Sequence, residues 1–398
     1  MSIINIISAV GNNRGIAPLV VRDCCIEAPT KVGLTYKQNL KDSKQMANNA
    51  ARERFIDEYF TSAIWIGGPI LFNAVGDKII KKSGLSPKIS MNLFKKEKKQ
   101  GIQYNINKFK EKAPNEIMEL EKALKNKSKL QNLQALKFLI STMIPIAFMG
   151  FILPKLNFKL TEKIKENQNN KSLCIQNSQL SFKGALSTMS SMSNVNKMAV
   201  TDGGLTIGRV MTGRNRYEQL ELGFKNVMMM FLNFVFPIYM AKYLDNITKR
   251  VFGINVNLDP KLMADNKFLN IVKNRTLKMP NQKENIVDFL DANPNSEFSK
   301  LCEKYCGVKY LKSRIRDPRK YVDINKIESF KNELNGFIKE VGSSDDIKKY
   351  GKKALRAKSV NIIANVAISS FLLSVALPEL IFLLRRKITG SDAEPGLS

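Results

Sequence analysis

Pro69-Ile70-Leu71-Phe72, followed by Asp77-Lys78-Ile79-Ile80-Lys81-Lys82, returns 168 positions later as Pro237-Ile238-Tyr239-Met240, followed by Asp245-Asn246-Ile247-Thr248-Lys249-Arg250. The proline, the isoleucine after it, the aspartate, a second isoleucine and a lysine coincide, and Lys82 meets Arg250. Each copy closes an uncharged, mostly apolar run with an acid and then a basic cluster. A second pair follows in the same order. Leu153-Pro154-Lys155-Leu156-Asn157-Phe158-Lys159-Leu160-Thr161-Glu162-Lys163-Ile164 aligns with Leu377-Pro378-Glu379-Leu380-Ile381-Phe382-Leu383-Leu384-Arg385-Arg386-Lys387-Ile388, seven of the twelve positions being identical. Two matches in one order, each at the end of an apolar segment, read as a tandem duplication of the form A-B-A′-B′, and a repeat sets the whole fold.

Segment A, Tyr59 to Gly76, carries no charge over eighteen residues. As a helix it would span about 27 Å, just enough for a hydrocarbon core of about 30 Å. Gly67-Gly68-Pro69 weakens that helix in water, so the competing reading is a pair of shorter core helices meeting at this break. Segment B, Phe138 to Pro154, is uncharged and contains Pro145. Ahead of it Ile117, Leu120, Leu124, Leu130, Leu133 and Leu136 form an amphipathic stripe, expected to run into B as one long helix. Segment A′ is uncharged from Asn226 to Ala241, and B′ from Ser359 to Pro378, twenty residues, followed after Glu379 by five more apolar ones. B′ passes the length test for a membrane span by itself.

The chain therefore divides as follows. Residues 1–50 form a polar N-terminal segment whose first ten residues lack the basic lead of a secretory signal and suit a short strand or an interfacial helix. Residues 51–165 are the first repeat unit, with apolar helices at about 59–76 and 138–154. Residues 166–215 read as a flexible linker, with a turn at Asp202-Gly203-Gly204. Gly203 to Gly208 superficially suggests a phosphate-cradling loop but lacks the spacing of either phosphate-binding signature. Residues 216–390 are the second unit, with apolar helices at about 226–241 and 359–384. Its longer connector carries an insertion at about 254–320, including Cys302, Cys306 and a basic run from Lys309 to Lys320. Residues 391–398 are a tail. The expected fold class is mainly α: a helical integral membrane protein of four apolar helices, arranged as two tandem A-B hairpins with long basic amphipathic connectors.

Composition removes much chemistry. There is no histidine in 398 residues, which excludes His-dependent triads, His-containing zinc sites and His proton shuttles. The five cysteines, Cys24, Cys25, Cys174, Cys302 and Cys306, are odd in number and scattered, unlike a disulfide framework. A metal site would need Cys24 and Cys25 to join Cys302 and Cys306. No residue is nominated as catalytic, cofactor-binding or metal-binding, and no cofactor is expected.

The formal charge of +29 points to a polyanion. Connectors 78–137 and 246–358 hold 16 and 25 of the 64 Lys and Arg, which places both on the cytoplasmic side by the positive-inside tendency. An anionic lipid surface is the expected partner, a homo-oligomer is left open, and nucleic acid is not expected because the basic runs lack interleaved aromatics. The functional expectation is a non-catalytic integral membrane protein, a scaffold or lipid-associating module. The alternative is a small-molecule or ion transporter or channel built from two homologous repeats. Gly-Pro interruptions at matching places favour the alternative; the lack of a charge inside any apolar segment argues against it. Asp77 and Asp245 read either as interfacial anchors paired with the cations that follow them or as a shared ion-binding pair.

Overall fold

The computed structural model describes residues 2–13, 15–40, 44–95, 99–153, 192–211, 216–274, 276–281, 284–341 and 346–389. Among these there is no strand, only an isolated bridge between Tyr310 and Arg316. The first half contains α1 (Ile3–Gly11), α2 (Ala17–Val20), a π-helical turn (Val21–Glu27), α3 (Ala28–Asn39), α4 (Lys44–Lys82), α5 (Ile102–Phe109), α6 (Pro114–Lys125) and α7 (Lys127–Ala147), the last prolonged by a π-turn, Phe148–Ile152. The second half opens with α8 (Asn194–Met211), α9 (Arg216–Met230), a π-turn (Phe231–Val235) and α10 (Phe236–Phe252). There follow α11 (Pro260–Met263), α12 (Asn266–Lys273), α13 (Ile286–Ala292), α14 (Glu297–Leu301), a π-turn (Cys302–Cys306) and α15 (Ile324–Val341). The chain closes with α16 (Ile347–Phe371), a π-turn (Leu372–Ala376) and α17 (Leu377–Thr389).

Four of these rods are long and apolar enough to cross a membrane: Ala47–Lys82, Lys127–Gly150, Gln219–Phe252 and Ile347–Ile388. They contain segments A, A′ and B′ and segment B as far as Gly150, and A packs on B as A′ packs on B′. The competing reading, two shorter helices meeting at Gly67-Gly68-Pro69, does not hold, since Pro69 lies inside the continuous helix α4. Packing overrides the local weakness. A Cβ on Gly68 would stand 2.9 Å from Cγ of Pro145, so this glycine lets A and B approach closely.

Two further helices run through the same layer although their hydropathy did not mark them. Asn13 donates to Pro237 O, Arg22 reaches Leu232 and Asn233, and Lys31 meets Glu58, so the stretch from α2 to α3 traverses the layer from one face to the other. In the other half, Asn194 and Lys197 sit at Asn73, Met198 at Trp65 and Val210 at Gly223. Helix α8 therefore occupies residues 194–211 of the stretch expected as a linker. Asp202-Gly203-Gly204 is helical rather than a turn, and Gly204 fits against Ile146, whose Cδ1 would be 2.6 Å from an added Cβ. Residues 166–191 and 212–215 of that stretch, the first Leu-Pro copy from Pro154 onward and the tail lie outside the described residues.

The stripe before B is also two helices rather than one. Asn126 leaves the helical region (φ −112°, ψ 36°), and its side-chain amide donates to Lys122 O at 2.9 Å. A short polar side chain that bonds to its own preceding turn competes with helix continuation there.

The two connectors fold together into one body at one end of the rods. One core gathers Leu290, Phe298, Ile327, Leu334 and Phe337; another gathers Ile80, Phe109, Leu120 and Leu130, with Leu311, Ile315 and Tyr321 from the second connector packed against it. Backbone joins them as well: Ser90 N donates to Arg319 O at 2.9 Å, and Asn105 Nδ2 to Pro318 O at 3.0 Å. The basic run from Lys309 to Lys320 is thus not simply a solvated face. Arg316, 1 % exposed, is held by Asp291 at 2.7 Å, and Arg319 bridges Asp317 and Glu119.

Burial in the layer has the opposite character. Ile70, Leu71, Val227, Val360, Ile363 and Phe371 are exposed, while Ser141, Thr142, Thr201, Asn233, Asn365 and Ser369 are buried. Large apolar side chains outside and small polar ones inside are what a hydrocarbon solvent selects.

Candidate functional site

Asp77 and Asp245 occupy matching places, but not with the partners expected of them. Asp77 meets Lys137 across the A–B hairpin at 2.5 Å, and Asp245 meets Lys358 across A′–B′ at 2.5 Å. The pairing is with the facing helix rather than with the cations that follow in sequence. Asn361 Nδ2 adds a bond to Asp245 at 2.9 Å, and Asn361 also shares a bond with Thr248. Each aspartate is bound within its own hairpin, and no contact joins the two among the described residues. Glu379 is exposed.

The charged groups that come together lie near the other ends of the rods. On α4, Arg54, Asp57, Glu58, Thr61, Ser62 and Trp65 follow one another at steps of three and one, and so share a helix face. Asp77 and Glu58 are about 28 Å apart along this helix, which puts the cluster at the side of the layer away from the connectors. The π-turn and α3 bring Asp23, Glu27 and Lys31 against this face. Lys31 Nζ bridges Glu27 at 2.5 Å and Glu58 at 3.4 Å, and Arg54 Nη2 reaches Glu58 at 2.6 Å. Helices α8 and α9 close the other side with Asp202, Leu205, Lys225, Asn226 and Met229, and Asn233 follows in the π-turn. The result is a cleft, open to solvent, lined by four carboxylates (Asp23, Asp57, Glu58 and Asp202) and three cations (Lys31, Arg54 and Lys225).

Arg22 explains how A′ tolerates its proline. Pro237 has no N–H to give the carbonyl of Asn233 in an α-turn or that of Leu232 in a π-turn. The Arg22 guanidinium supplies both bonds, Nη2 to Asn233 O at 3.2 Å and Nη1 to Leu232 O at 3.5 Å. Nearby, Trp65 Nε1 donates to Met198 O, and the Trp65 ring meets Phe234 edge-on at 5.9 Å. The floor of the cleft is therefore where A touches A′.

The four described cysteines do not gather. Cys302 and Cys306 are buried in the connector body, whereas Cys24 and Cys25 sit on the π-turn within the layer. The hydrogen bond with Cys306, and then burial, hold the Cys302 thiol far above the ordinary range, unlike a thiolate ligand. No group of three or more Cys, Asp or Glu among the described residues could hold a metal ion.

Sequence reasoning placed no charge inside the layer because it looked only within the apolar runs. Arg22, Asp23, Glu27 and Lys31 arrive on a helix too polar to register as a span. The stripe from Arg54 to Trp65 was the available signal, a polar face at helical spacing leading into an apolar run. Comparison with known proteins gives no matching family model, no matching curated protein and no matching solved structure.

Proposed function

We propose that this chain is a multi-pass membrane protein in which two related halves enclose a cleft for a small polar solute that the protein carries across the bilayer. The single observation that carries this reading is the charged cleft. Ionisable side chains inside an apolar layer are expensive and mark solute or ion paths unless they serve only one another. Here the lining includes Asp57, which makes no ion pair among the described residues.

The duplication belongs to the same proposal. The π-turns Phe148–Ile152 and Leu372–Ala376 stand 224 positions apart, the same offset as the Leu-Pro sequences that follow them. Each hairpin carries an Asp–Lys bridge near its connector end. The additional helices pack both within and across the halves: α8 lies on α9 and also on α4 and α7, while the stretch from α2 to α3 lies chiefly on α4 and also touches α16 and the π-turn after it. Paired repeats with interrupted helices around a shared site are a recurring transporter plan.

Reconstitution in vesicles tests the reading. The protein should resist a carbonate wash, and at least one labelled solute from an amino acid, sugar, nucleoside and inorganic phosphate panel should accumulate and be lost in Glu58→Gln. Release by carbonate, or no accumulation of any of these, overturns it.

A lipid-associating role remains the second reading, favoured by a specific observation. Lys78, Lys81 and Lys82 are exposed where α4 leaves the layer, and Lys122, Lys125, Lys127 and Lys129 are exposed where α7 approaches it. Cations so placed would each gain about 1 kcal/mol at an anionic leaflet. This reading puts the connector body in the cytoplasm. A cysteine introduced at Lys125 should then react with an impermeant thiol reagent only after the cytoplasmic face is exposed.

A further inference from the structure

Resting on the solute reading above, we infer that the cleft takes an α-amino acid with an aliphatic side chain. Several polar atoms at the cleft have no hydrogen-bond partner among the described residues. Arg54 Nε, the Thr61 hydroxyl and Asn226 Nδ2 are buried without a hydrogen-bond partner, and all three residues line the cleft. Asn226 is 8 % exposed, so its amide is enclosed rather than waiting for bulk water. A buried donor without an acceptor costs about 1–3 kcal/mol, so the site is built for something that supplies acceptors. Arg54 spends its Nη2 on Glu58 and keeps Nε for this purpose.

The opposite requirement is present in the same cleft. Asp57 makes no ion pair among the described residues, and Asp23 is faced by Ser62, with Lys31 already committed to Glu27 and Glu58. The Asp57 carboxylate calls for a cation. One small molecule that satisfies both sets has an ammonium and a carboxylate within a few ångström of each other. A simple anion would leave Asp57 uncompensated, and a simple amine would leave Arg54 Nε and Asn226 Nδ2 without an acceptor. Trp65, Leu205 and Met229 also line the cleft, and this apolar lining suits an aliphatic rather than a charged side chain.

Trp65 is the only tryptophan in the chain and lines the cleft, so its emission reports on the site directly. The test uses the full chain in nanodiscs, titrated with L-leucine, with 4-methylpentanoate (no amine) and with isoamylamine (no carboxylate). L-leucine should change Trp65 emission saturably, and each analogue should bind at least about tenfold more weakly, the equivalent of 1.4 kcal/mol. Asp57→Asn should weaken leucine and isoamylamine while leaving 4-methylpentanoate unchanged. Asn226→Leu should weaken leucine and 4-methylpentanoate while leaving isoamylamine unchanged. An unaltered emission spectrum without ligand identifies variants that retain the fold, and Thr61→Val provides a milder change on the acceptor side.

Equal affinity for leucine and either analogue overturns the inference, as does a variant that weakens all three alike. If sugars, nucleosides or phosphate perturb Trp65 and leucine does not, this inference fails while the solute reading stands. If no solute does so and none is transported, both fail.

Discussion

The connector body buries Phe298, Leu334 and Phe337 and leaves lysines in water, whereas the helical layer encloses Arg22, Glu27 and Lys31 and exposes Leu71, Val227 and Phe371. One chain thus packs by two rules. In the body, apolar area removed from water drives folding, and charges serve as clasps at the edges. In the layer, on the membrane reading proposed above, hydrocarbon outside would give no reward for hiding leucine, so cohesion would come from close helix contact at Gly68 and Gly204 and from polar groups that bond inward. Arg316 and Arg22 show the contrast in a single residue type. The first meets the carboxylate of Asp291 in its own connector and reaches Asn105 Oδ1 of the other at 3.5 Å; the second meets two carbonyls that a proline has stripped of donors.

The largest effect that would test this division is expected at Arg316. In Arg316→Ala the buried carboxylate of Asp291 loses its main partner, and the connector body should lose about 3–5 kcal/mol. Hydrogen exchange should rise across Phe298 and Leu120 while Trp65 emission stays unchanged. A simultaneous change at Trp65 would mean that body and layer are not separate packing regimes.

A matched pair of leucines sharpens the point. Leu334, fully buried in the body, should cost about 2–5 kcal/mol when cut to alanine. Leu71, 62 % exposed on the layer, should change stability by no more than about 0.5 kcal/mol in lipid. Thermal unfolding of the two variants in nanodiscs compares them directly, and similar losses would break the comparison.

The smallest effect is a pH dependence confined to the body. Hydrogen bonding from Lys99, and then the charge of Lys108, hold Asp288 below its ordinary pKa of 3.8. Because the folded value is the lower one, its stabilisation is present above about pH 4 and fades as pH falls below it. Asp288 is largely solvated, so the effect should be slight. Asp288→Asn should flatten the acid limb of body unfolding between pH 5 and 2 and leave the layer's response untouched.

The long apolar rods were legible because an uncharged run of eighteen to twenty residues has few alternatives, and the B′ run was the plainest of them. Which of the two readings of Gly67-Gly68-Pro69 holds was not legible, because the contact that rescues the continuous helix comes from Pro145, far away in sequence. The cleft was half legible. Arg54, Asp57, Glu58, Thr61, Ser62 and Trp65 advertise one face of a helix, but Asp23, Asp202 and Asn226 join them only through packing.

By itself, then, the order of residues determined that this chain is helical, that four of its rods suit a membrane, and that histidine chemistry is excluded. Those are consequences of local composition and period, which every stretch carries with it. Only the tertiary structure decided that two polar helices share the layer, that the connectors make one body, and that carboxylates and unsatisfied donors converge on a single cleft. Such convergence depends on residues hundreds of positions apart meeting in space, and no local pattern records it.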